Sequence, residues 1–365
     1  MLNKNKKKPK VLVAMSGGVD SSVAAQLLKN QGYDVTGMFL HFWKDEKMGD
    51  KAENKCCSLE SLLDAKAVAN KIGIPLHTFN FAKPFKEAVV DNFLSEYAAG
   101  RTPNPCVVCN KKIKIGLLLE YALELGFDYV ATGHYLKIKD YQGKRRLYKA
   151  KDAKKDQSYF LYTFTQKQLK HLMFPLGGYN KPKVRELAQK YNLTTAAKPE
   201  SQDICFLSGP HNDFLKRYLK LKPGPIKLLD TGEEIATHQG LPLYTIGQRR
   251  GIEVGGNGPY YVAKMDYNTN TLYVVRQWNE DILYEKGFLV KGVNWLSGSE
   301  KLPLKCSVVI RYGHVAVPCT ISKYQKDVLR VDFKKPQRAV TSGQSAVFYD
   351  KNRVLGGGII DNLVI

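Results

Sequence analysis

Seven consecutive residues near the N-terminus have the types that would bind a polyphosphate, namely Ser16-Gly17-Gly18-Val19-Asp20-Ser21-Ser22. They follow an apolar run and lead into a helical pattern, so they are predicted to form a tight turn between a strand and a helix. The two glycines permit close backbone approach and positive φ, and a helix N-terminus directs N–H groups and partial positive charge outward. The segment is therefore predicted to cradle a pyrophosphate. An ordinary strand-to-helix turn is the plain alternative.

Cysteines in two polar segments are the second chemical signal. The segment Thr102-Pro103-Asn104-Pro105-Cys106-Val107-Val108-Cys109-Asn110-Lys111 starts with prolines that fix a non-helical entry and continues into a helical pattern. Cys109 is thus expected near a helix N-terminus, beside Lys111 and Lys112, which favours its thiolate. Cys205 lies in the segment Ser201-Gln202-Asp203-Ile204-Cys205-Phe206. A zinc site would need a second close Cys-x-x-Cys pair, which the chain lacks, so reactive thiols are the favoured interpretation and inert thiols the alternative.

These segments must be positioned by regular elements, and the first third of the chain alternates strand and helix patterns. Strands are predicted at residues 11–15, 33–40, 76–81 and 129–132, and helices at 22–30, 59–72 and 111–125. This alternation predicts an α/β fold, a Rossmann-like parallel sheet with helices on both faces. Ligands bind such sheets at the carboxyl ends of the strands. The turn after Met15 and the loops after Met38 and Thr132 are therefore predicted to line one cleft.

The residue pattern of the sequence changes at Pro223-Gly224-Pro225, a strong turn signal that is followed by short β-rich runs. We predict a disordered basic arm at residues 1–9 and an adenylating α/β domain with the cysteines at 10–210. A small β-rich domain at 211–280 and a C-terminal β-barrel domain at 281–365 are predicted to follow. Residues 139–151 are polar and basic and are expected to form an exposed excursion. Cys306 and Cys319 lie in apolar strand patterns and are expected in the core.

Charge and composition restrict the class of protein. The 365 residues include 56 Lys and Arg against 34 Asp and Glu, a formal net charge of +22. This excess suits a polyanionic partner such as nucleic acid, and a general lysine-rich bias is the alternative. Seven unevenly placed cysteines argue against a secreted disulfide framework. No apolar run approaches the roughly 20 residues that cross a bilayer. A cytoplasmic protein without membrane contact is expected.

Further segments complete an ordered series of motifs. The series includes the segments at residues 16–22, 102–111 and 201–206 described above. In addition to those three, it contains Gly37-Met38, Ala131-Thr132-Gly133-His134-Tyr135, Lys155-Asp156-Gln157-Ser158-Tyr159, Thr245-Ile246-Gly247-Gln248-Arg249-Arg250-Gly251, Arg311-Tyr312 and Ser342-Gly343-Gln344. In content and order, over nearly the whole chain, the series resembles the tRNA-specific 2-thiouridylases (MnmA/TrmU family), PP-loop ATP pyrophosphatases.

The resemblance implies ATP-dependent 2-thiolation of the wobble uridine in tRNA. ATP would adenylate the uridine O2, pyrophosphate would leave, and sulfur from a cysteine persulfide would replace the activated oxygen, giving 2-thiouridine and AMP. Cys109 matches the family's nucleophile and Cys205 its persulfide carrier, so a transient disulfide between them is expected. The implied partners are tRNA and an upstream sulfur donor, either a cysteine desulfurase or a sulfur-relay protein.

The resemblance also assigns binding residues. Those expected to bind ATP, with Mg²⁺, are Ala14, Met15, Ser16, Gly17, Gly18, Val19, Asp20, Ser21, Met38 and Gly133. Those expected to contact tRNA are Asn104, Pro105, Cys106, His134, Lys155, Asp156, Gln157, Arg311, Tyr312 and Gln344. Target bases must leave the stack to be modified, and a rigid proline-framed loop beside a nucleophile suits a flipped uridine.

One residue departs from the family pattern. Many members carry Asp where this chain has Cys106, which leaves the role of Cys106 open. Cys106, Cys109 and Cys205 form the ligand set of an alternative route, in which a [4Fe–4S] cluster with one open iron holds the sulfur. Two further alternatives are a PP-loop synthetase that acts on a small molecule and a non-catalytic RNA-binding protein. The intact phosphate-binding segment argues against the second of these.

Overall fold

The computed structural model describes residues 8–51, 58–200, 204–252, 254 and 259–363. Most of the predicted basic arm, the adjacent Cys56 and Cys57, and residues 201–203 of the Cys205 segment lie outside the described residues. Among the described residues, no helix is both long enough and apolar enough to cross a membrane.

The described α-helices lie in the first 218 residues. They are α1 (Val19–Asn30), α2 (Leu59–Ile72), α3 (Ala82–Phe85), α4 (Asp91–Ala98), α5 (Pro105–Cys109), α6 (Leu118–Glu124), α7 (Gln166–Leu169), α8 (Lys181–Lys190) and α9 (His211–Tyr218). π-Helical segments join α3 to α4 at Lys86–Val90 and α5 to α6 at Asn110–Leu117. The predicted helix at residues 111–125 is therefore part of a longer helical run that starts at Pro105.

The strands in the first half of the chain are β1 (Lys10–Ala14), β2 (Asp34–His41), β3 (Leu76–Asn80), β4 (Tyr129–Ala131), β5 (Leu136–Tyr141), β6 (Lys144–Lys149) and β7 (Leu172–Met173). Five of them form a parallel sheet in the order β3-β2-β1-β4-β7. Strand β1 is central, and its apolar residues Val11, Leu12 and Val13 are fully buried. The predicted Rossmann-like sheet is confirmed, and the ends of β1, β2 and β4 lie side by side.

Two details of this region go beyond the predictions. The loop predicted after Met38 starts only after His41, because β2 continues to that residue, and Met38 itself pairs with Ala14 at the end of β1. Residues 139–144 are exposed, as expected of the polar segment 139–151, and most of this segment lies in the regular β5–β6 hairpin. Strand β6 pairs with the last strand of the chain, at Tyr148 and Arg353. The apolar positions Ile138 and Leu147 face each other across this hairpin, a pattern that its many lysines and arginines obscured.

The second half of the chain contains β8 (Gly224–Leu228), β9 (Glu234–His238), β10 (Tyr261–Asp266), β11 (Thr271–Val275), β12 (Tyr284–Trp295), β13 (Leu304–Val309), β14 (Val317–Gln325), β15 (Val328–Arg338), β16 (Ser345–Asp350) and β17 (Arg353–Leu363). Strands β8–β11 form a four-stranded sheet in the order β10-β11-β8-β9. Strands β12–β17 form a six-stranded barrel that closes by pairing of β12 with β17. The two predicted β-rich regions are thus present.

The barrel has its own apolar core, which includes the fully buried Phe288, Val290 and Phe348. Cys306 and Cys319 face each other across β13 and β14, with their Sγ atoms 3.6 Å apart. Cys319 is buried as expected, whereas Cys306 is only partly buried. The domain limits at residues 210 and 280 stay predictions, since the β5–β6 hairpin of the first segment extends the sheet of the barrel.

Candidate functional site

Residues 16–22, here called the phosphate turn, join β1 to α1. Gly17 has φ of 70°, and a Cβ at this position would lie 2.2 Å from the Ser61 carbonyl oxygen on α2. Only glycine fits this left-handed position against the neighbouring helix. Gly18 has φ of −98° and caps α1 in an extended conformation. Of the two glycines that permit positive φ, Gly17 therefore adopts it and Gly18 does not.

Serine hydroxyls fix the shape of the phosphate turn. The Ser21 and Ser22 hydroxyls donate to the Gly18 carbonyl oxygen at 3.1 and 2.9 Å. The Ser16 backbone N–H donates to Ser21 Oγ at 3.2 Å. Because these bonds join residues at most five positions apart, the sequence of the turn determines much of its own geometry. The turn resembles other helix N-termini that accept phosphate groups.

The other predicted nucleotide residues lie beside this turn. A Cβ at Gly133 would be 2.8 Å from the Ser21 backbone nitrogen, so the loop after β4 touches the start of α1. The Met15 N–H donates to the Met38 carbonyl oxygen at 2.8 Å, next to the paired Ala14 and Met38. The structure thus gathers the predicted ATP-binding residues at the carboxyl edge of the sheet.

Asp20 in the first turn of α1 holds a buried lysine. Lys181 Nζ, at the start of α8, donates to both Asp20 carboxylate oxygens at 2.7 and 2.8 Å. The Tyr135 hydroxyl donates to Asp20 Oδ1 at 2.6 Å. Burial and the negative charge of Asp20 raise the pKa of Tyr135, which keeps this hydroxyl protonated. The lysine neutralises a carboxylate at the edge of a site predicted to accept phosphates.

The ion pairs continue from Lys181 to the loop that precedes α7. Lys181 Nζ lies 2.8 Å from Glu200 Oε1, and Glu200 Oε2 accepts a hydrogen bond from Lys155. Burial favours the neutral acid of Glu200, but hydrogen bonds from Lys155 and Lys181 outweigh it and lower its pKa. We call Asp20, Lys181, Glu200 and Lys155 the charge bridge. Sequence reasoning missed Lys181 and Glu200, and the only available signal was that Glu200 directly precedes the Cys205 segment.

Residues 101–106, here called the proline loop, lead into the helix that carries Cys109. The Asn104 side chain accepts the Val107 backbone N–H at 3.3 Å, and Pro105 occupies the first helical position. This local pattern starts α5 as the prolines predict. Cys109 is buried, with 5% exposure, whereas Cys106 and Cys205 are partly exposed. None of these three cysteines is in a disulfide.

Segments from distant parts of the chain hold the proline loop. The Thr102 N–H donates to the Ser342 carbonyl oxygen at 2.9 Å, and the buried Gln344 amide donates to the Thr102 carbonyl oxygen at 2.9 Å. The hydroxyls of Thr102 and Thr245 are 3.2 Å apart. The barrel and the middle sheet region therefore both touch this loop. Gln344 is positioned as a support of the loop, buried beneath it.

The barrel also places Tyr312 beside the predicted base-contact residues. Its ring centroid lies 4.3 Å from that of Phe160 and 5.9 Å from that of Tyr159. Burial, followed by the negative charges of Asp156 and Cys106, raises the pKa of Tyr312, with Lys155 opposing. Tyr312 is still 45% exposed, so an aromatic face remains available for stacking. Arg311, Tyr312, the proline loop and the Lys155 segment are thus close together.

Three other predicted contact residues use their side chains inside the protein. Asp156 accepts from the Ala150 N–H at 2.8 Å and from the Ser158 hydroxyl at 2.7 Å. Gln157 Oε1 accepts the Tyr135 N–H at 2.9 Å. His134 Nδ1 lies 2.7 Å from Thr132 Oγ1. Burial of most of the His134 ring, together with the positive charge of Lys114, lowers its pKa to about 3. These residues organise the loops that surround the site.

A metal centre needs several donor side chains close together. Among the described residues, no three His, Cys, Asp or Glu side chains come together as a possible metal-binding group. Cys106, Cys109 and Cys205 are all described and do not form such a group, so this arrangement does not fit the iron–sulfur alternative. Asp20, the acidic residue of the phosphate turn, is already bound to Lys181 and Tyr135.

Comparisons with known proteins cover nearly the whole chain. Family models described as a tRNA methyl transferase HUP domain, a tRNA methyl transferase PRC-barrel domain and an aminomethyltransferase beta-barrel domain match residues 9–209, 212–276 and 285–360. A tRNA-specific 2-thiouridylase MnmA from Proteus mirabilis is 46% identical over 97% of this chain and 98% of the relative. Proteins of the same name from Klebsiella pneumoniae and Pectobacterium carotovorum are 46% and 45% identical, each over 96% of this chain and over 96% and 97% of their own lengths.

Proposed function

Because this chain belongs to the tRNA-specific 2-thiouridylase family and is a tRNA-uridine 2-sulfurtransferase that uses ATP, we propose that it adenylates the wobble uridine and replaces O2 by sulfur from Cys205. The observation that carries this proposal is the phosphate turn, with Gly17 held against α2 and Gly133 against α1. Neither the small-molecule synthetase nor the non-catalytic RNA-binding protein agrees with the family.

In the first step the uridine O2 attacks the α-phosphorus of ATP. The bond from that phosphorus to the bridging oxygen breaks, and pyrophosphate leaves with the electron pair. The N–H groups at the start of α1 and in the phosphate turn stabilise the negative charge that accumulates on the leaving group. A carbonyl oxygen is a very poor leaving group, whereas the adenylated oxygen departs as part of AMP. A Mg²⁺ ion bound with the nucleotide, held mainly by phosphate oxygens and water, would offset the same negative charge.

In the second step sulfur passes from Cys205 to the activated carbon. A cysteine desulfurase or relay protein first leaves a persulfide on Cys205, which is partly exposed and accessible to a donor. The terminal sulfur attacks uridine C2, and the Cys109 thiolate then attacks Cys205 Sγ. The S–S bond breaks, its electrons pass to the sulfur on C2, and AMP leaves with the former O2. A Cys109–Cys205 disulfide remains, and a thiol reductant restores both cysteines.

The target base is proposed to enter between the proline loop and the barrel. Asn104, Pro105 and Cys106 would face the flipped uridine, and Tyr312 offers an aromatic face of suitable exposure. Arg311 would bind the RNA backbone. Gln344, Asp156 and Gln157 are proposed to support these contacts indirectly, since their side chains hold the surrounding loops. Cys106 is proposed to contact the base, and its chemical role is not assigned.

The test separates the two steps with Cys205→Ser. This variant should lose 2-thiouridine formation at least about 1,000-fold, because it has no sulfur carrier. It should retain tRNA-dependent pyrophosphate release, because adenylation precedes sulfur transfer. Both products are measured, by mass spectrometry of tRNA nucleosides and by a pyrophosphate assay. Cys306→Ser in the barrel is the matched control and should lose neither. Loss of pyrophosphate release in Cys205→Ser would reject the proposed order of steps.

A further inference from the structure

The charge bridge joins two sites that the proposed function gives to different substrates. Asp20 lies in the phosphate turn, and Lys155 is one of the residues that the family resemblance leads us to expect in contact with tRNA. Lys181 contacts Asp20 at 2.7 Å and Glu200 at 2.8 Å, and Glu200 contacts Lys155. Two carboxylates and two ammonium groups balance to zero charge. The bridge is thus neutral overall, with Lys181 shared by both carboxylates and Lys155 bound to Glu200.

Lys181, which both carboxylates share, is the least exposed member of the charge bridge. The Lys181 side chain is 9% exposed and that of Glu200 is 22% exposed. Arg185 approaches Glu200 only to 4.0 Å, and its guanidinium donates to the Ala196 and Lys198 carbonyl oxygens instead. A partly buried carboxylate that loses one cationic partner depends more strongly on the partner that remains, since water screens it only in part. A weaker contact between Glu200 and one lysine is therefore expected to strengthen its contact with the other.

Both substrates add negative charge to the bridge, at opposite ends. A polyphosphate bound at the phosphate turn attracts Lys181 and weakens its contact with Glu200. Glu200 then holds Lys155 more strongly, which leaves Lys155 less available to an RNA phosphate. The reverse sequence holds when RNA binds first, since coupling between two sites is reciprocal.

We propose that Glu200 and Lys181 make pyrophosphate and tRNA binding oppose each other, so that release of pyrophosphate after adenylation strengthens the hold on the activated tRNA. This inference rests on the proposed function, which supplies the two substrates. It assigns Glu200 as a positioning residue that acts through the two lysines. Binding of the tRNA is therefore expected to be strongest after ATP has been cleaved and pyrophosphate has left.

The test is equilibrium binding of unmodified tRNA in the presence of inorganic pyrophosphate, AMP or neither, at constant ionic strength. For the unaltered protein, saturating pyrophosphate should weaken tRNA binding about fivefold, and AMP should not. Glu200→Gln keeps Lys181 beside the phosphate turn but removes the charge that links it to Lys155. It should bind tRNA more tightly without pyrophosphate and should show no pyrophosphate effect.

Glu186→Gln is the matched control. Glu186 pairs with Lys183 on the exposed side of α8, so this variant removes the same charge outside the bridge. It should retain the fivefold effect. An equal pyrophosphate effect in Glu200→Gln and the unaltered protein would overturn the inference, as would the lack of any effect in the unaltered protein. Failure of the proposed function would appear separately, as the lack of tRNA-dependent pyrophosphate release from ATP.

Discussion

The phosphate turn and the proline loop are both short, irregular and chemically important, yet they are held in different ways. Hydrogen bonds between residues at most five positions apart shape the phosphate turn. The proline loop is held by Thr245 and Gln344, which lie 143 and 242 positions from Thr102. The internal shape of the first site therefore depends mainly on hydrogen bonds within one segment, whereas the second site is held by segments that are far apart in the chain. The two should fail differently when they are altered.

Among the variants that test this contrast, the largest effect is expected from Gly17→Ala in the phosphate turn. Alanine costs about 1–2 kcal/mol in the left-handed conformation, and its Cβ would meet the Ser61 carbonyl oxygen at 2.2 Å. Displacement of the turn should lower tRNA-dependent pyrophosphate release about 100-fold. Gly18→Ala is the control, since its Cβ would meet nothing closer than Ser16 Oγ at 3.5 Å. Equal losses of pyrophosphate release in both variants would contradict the assignment of the effect to the left-handed conformation of Gly17 and its close approach to Ser61.

A smaller effect is expected from Gln344→Ala, which acts on the proline loop from the barrel. The buried Thr102 carbonyl oxygen would lose its partner, a loss of about 1–3 kcal/mol. Thiolation should fall about tenfold, while the ATP dissociation constant without tRNA should not change. Gln337→Ala is the control, because its amide donates only to the nearby Lys335 and Pro336 carbonyl oxygens. A weakened ATP affinity in Gln344→Ala would show that the two regions are not independent.

The smallest expected effect concerns His134, which lies between the two regions. Burial lowers its pKa to about 3 from an ordinary 6.5, so the unfolded chain takes up a proton that the folded protein does not. Stability should therefore decline as the pH falls from 6.5 towards 3. The fall in Tm between pH 7 and pH 5 should be about 2 °C smaller in His134→Gln than in the unaltered protein. The same change in the exposed control His77→Gln would refute this assignment.

The contrast between contacts within one segment and contacts between distant segments also explains which features could be predicted from the sequence. The parallel sheet, the phosphate turn and the start of α5 follow from periodicity, glycines and prolines within short windows. The loop after Met38 starts later than predicted because β2 continues three residues beyond it, and strand ends depend on pairing with neighbours. Lys181 and Glu200 could not be found from spacing, since Asp20 and Lys181 are 161 positions apart. Contacts of this kind exist only after the chain has folded.

Strand β6 of the hairpin pairs with β17, and the Lys149 N–H donates to the Asn352 carbonyl oxygen at 2.8 Å. Asn294 adds hydrogen bonds from the barrel to the Tyr162 and Phe164 carbonyl oxygens at 2.7 and 3.1 Å. A truncated chain that ends before residue 281 would leave β6 as an unpaired edge, a template for aggregation. We therefore expect the ATP-binding part to aggregate when it is excised, and point substitutions are the better means of dissecting this enzyme.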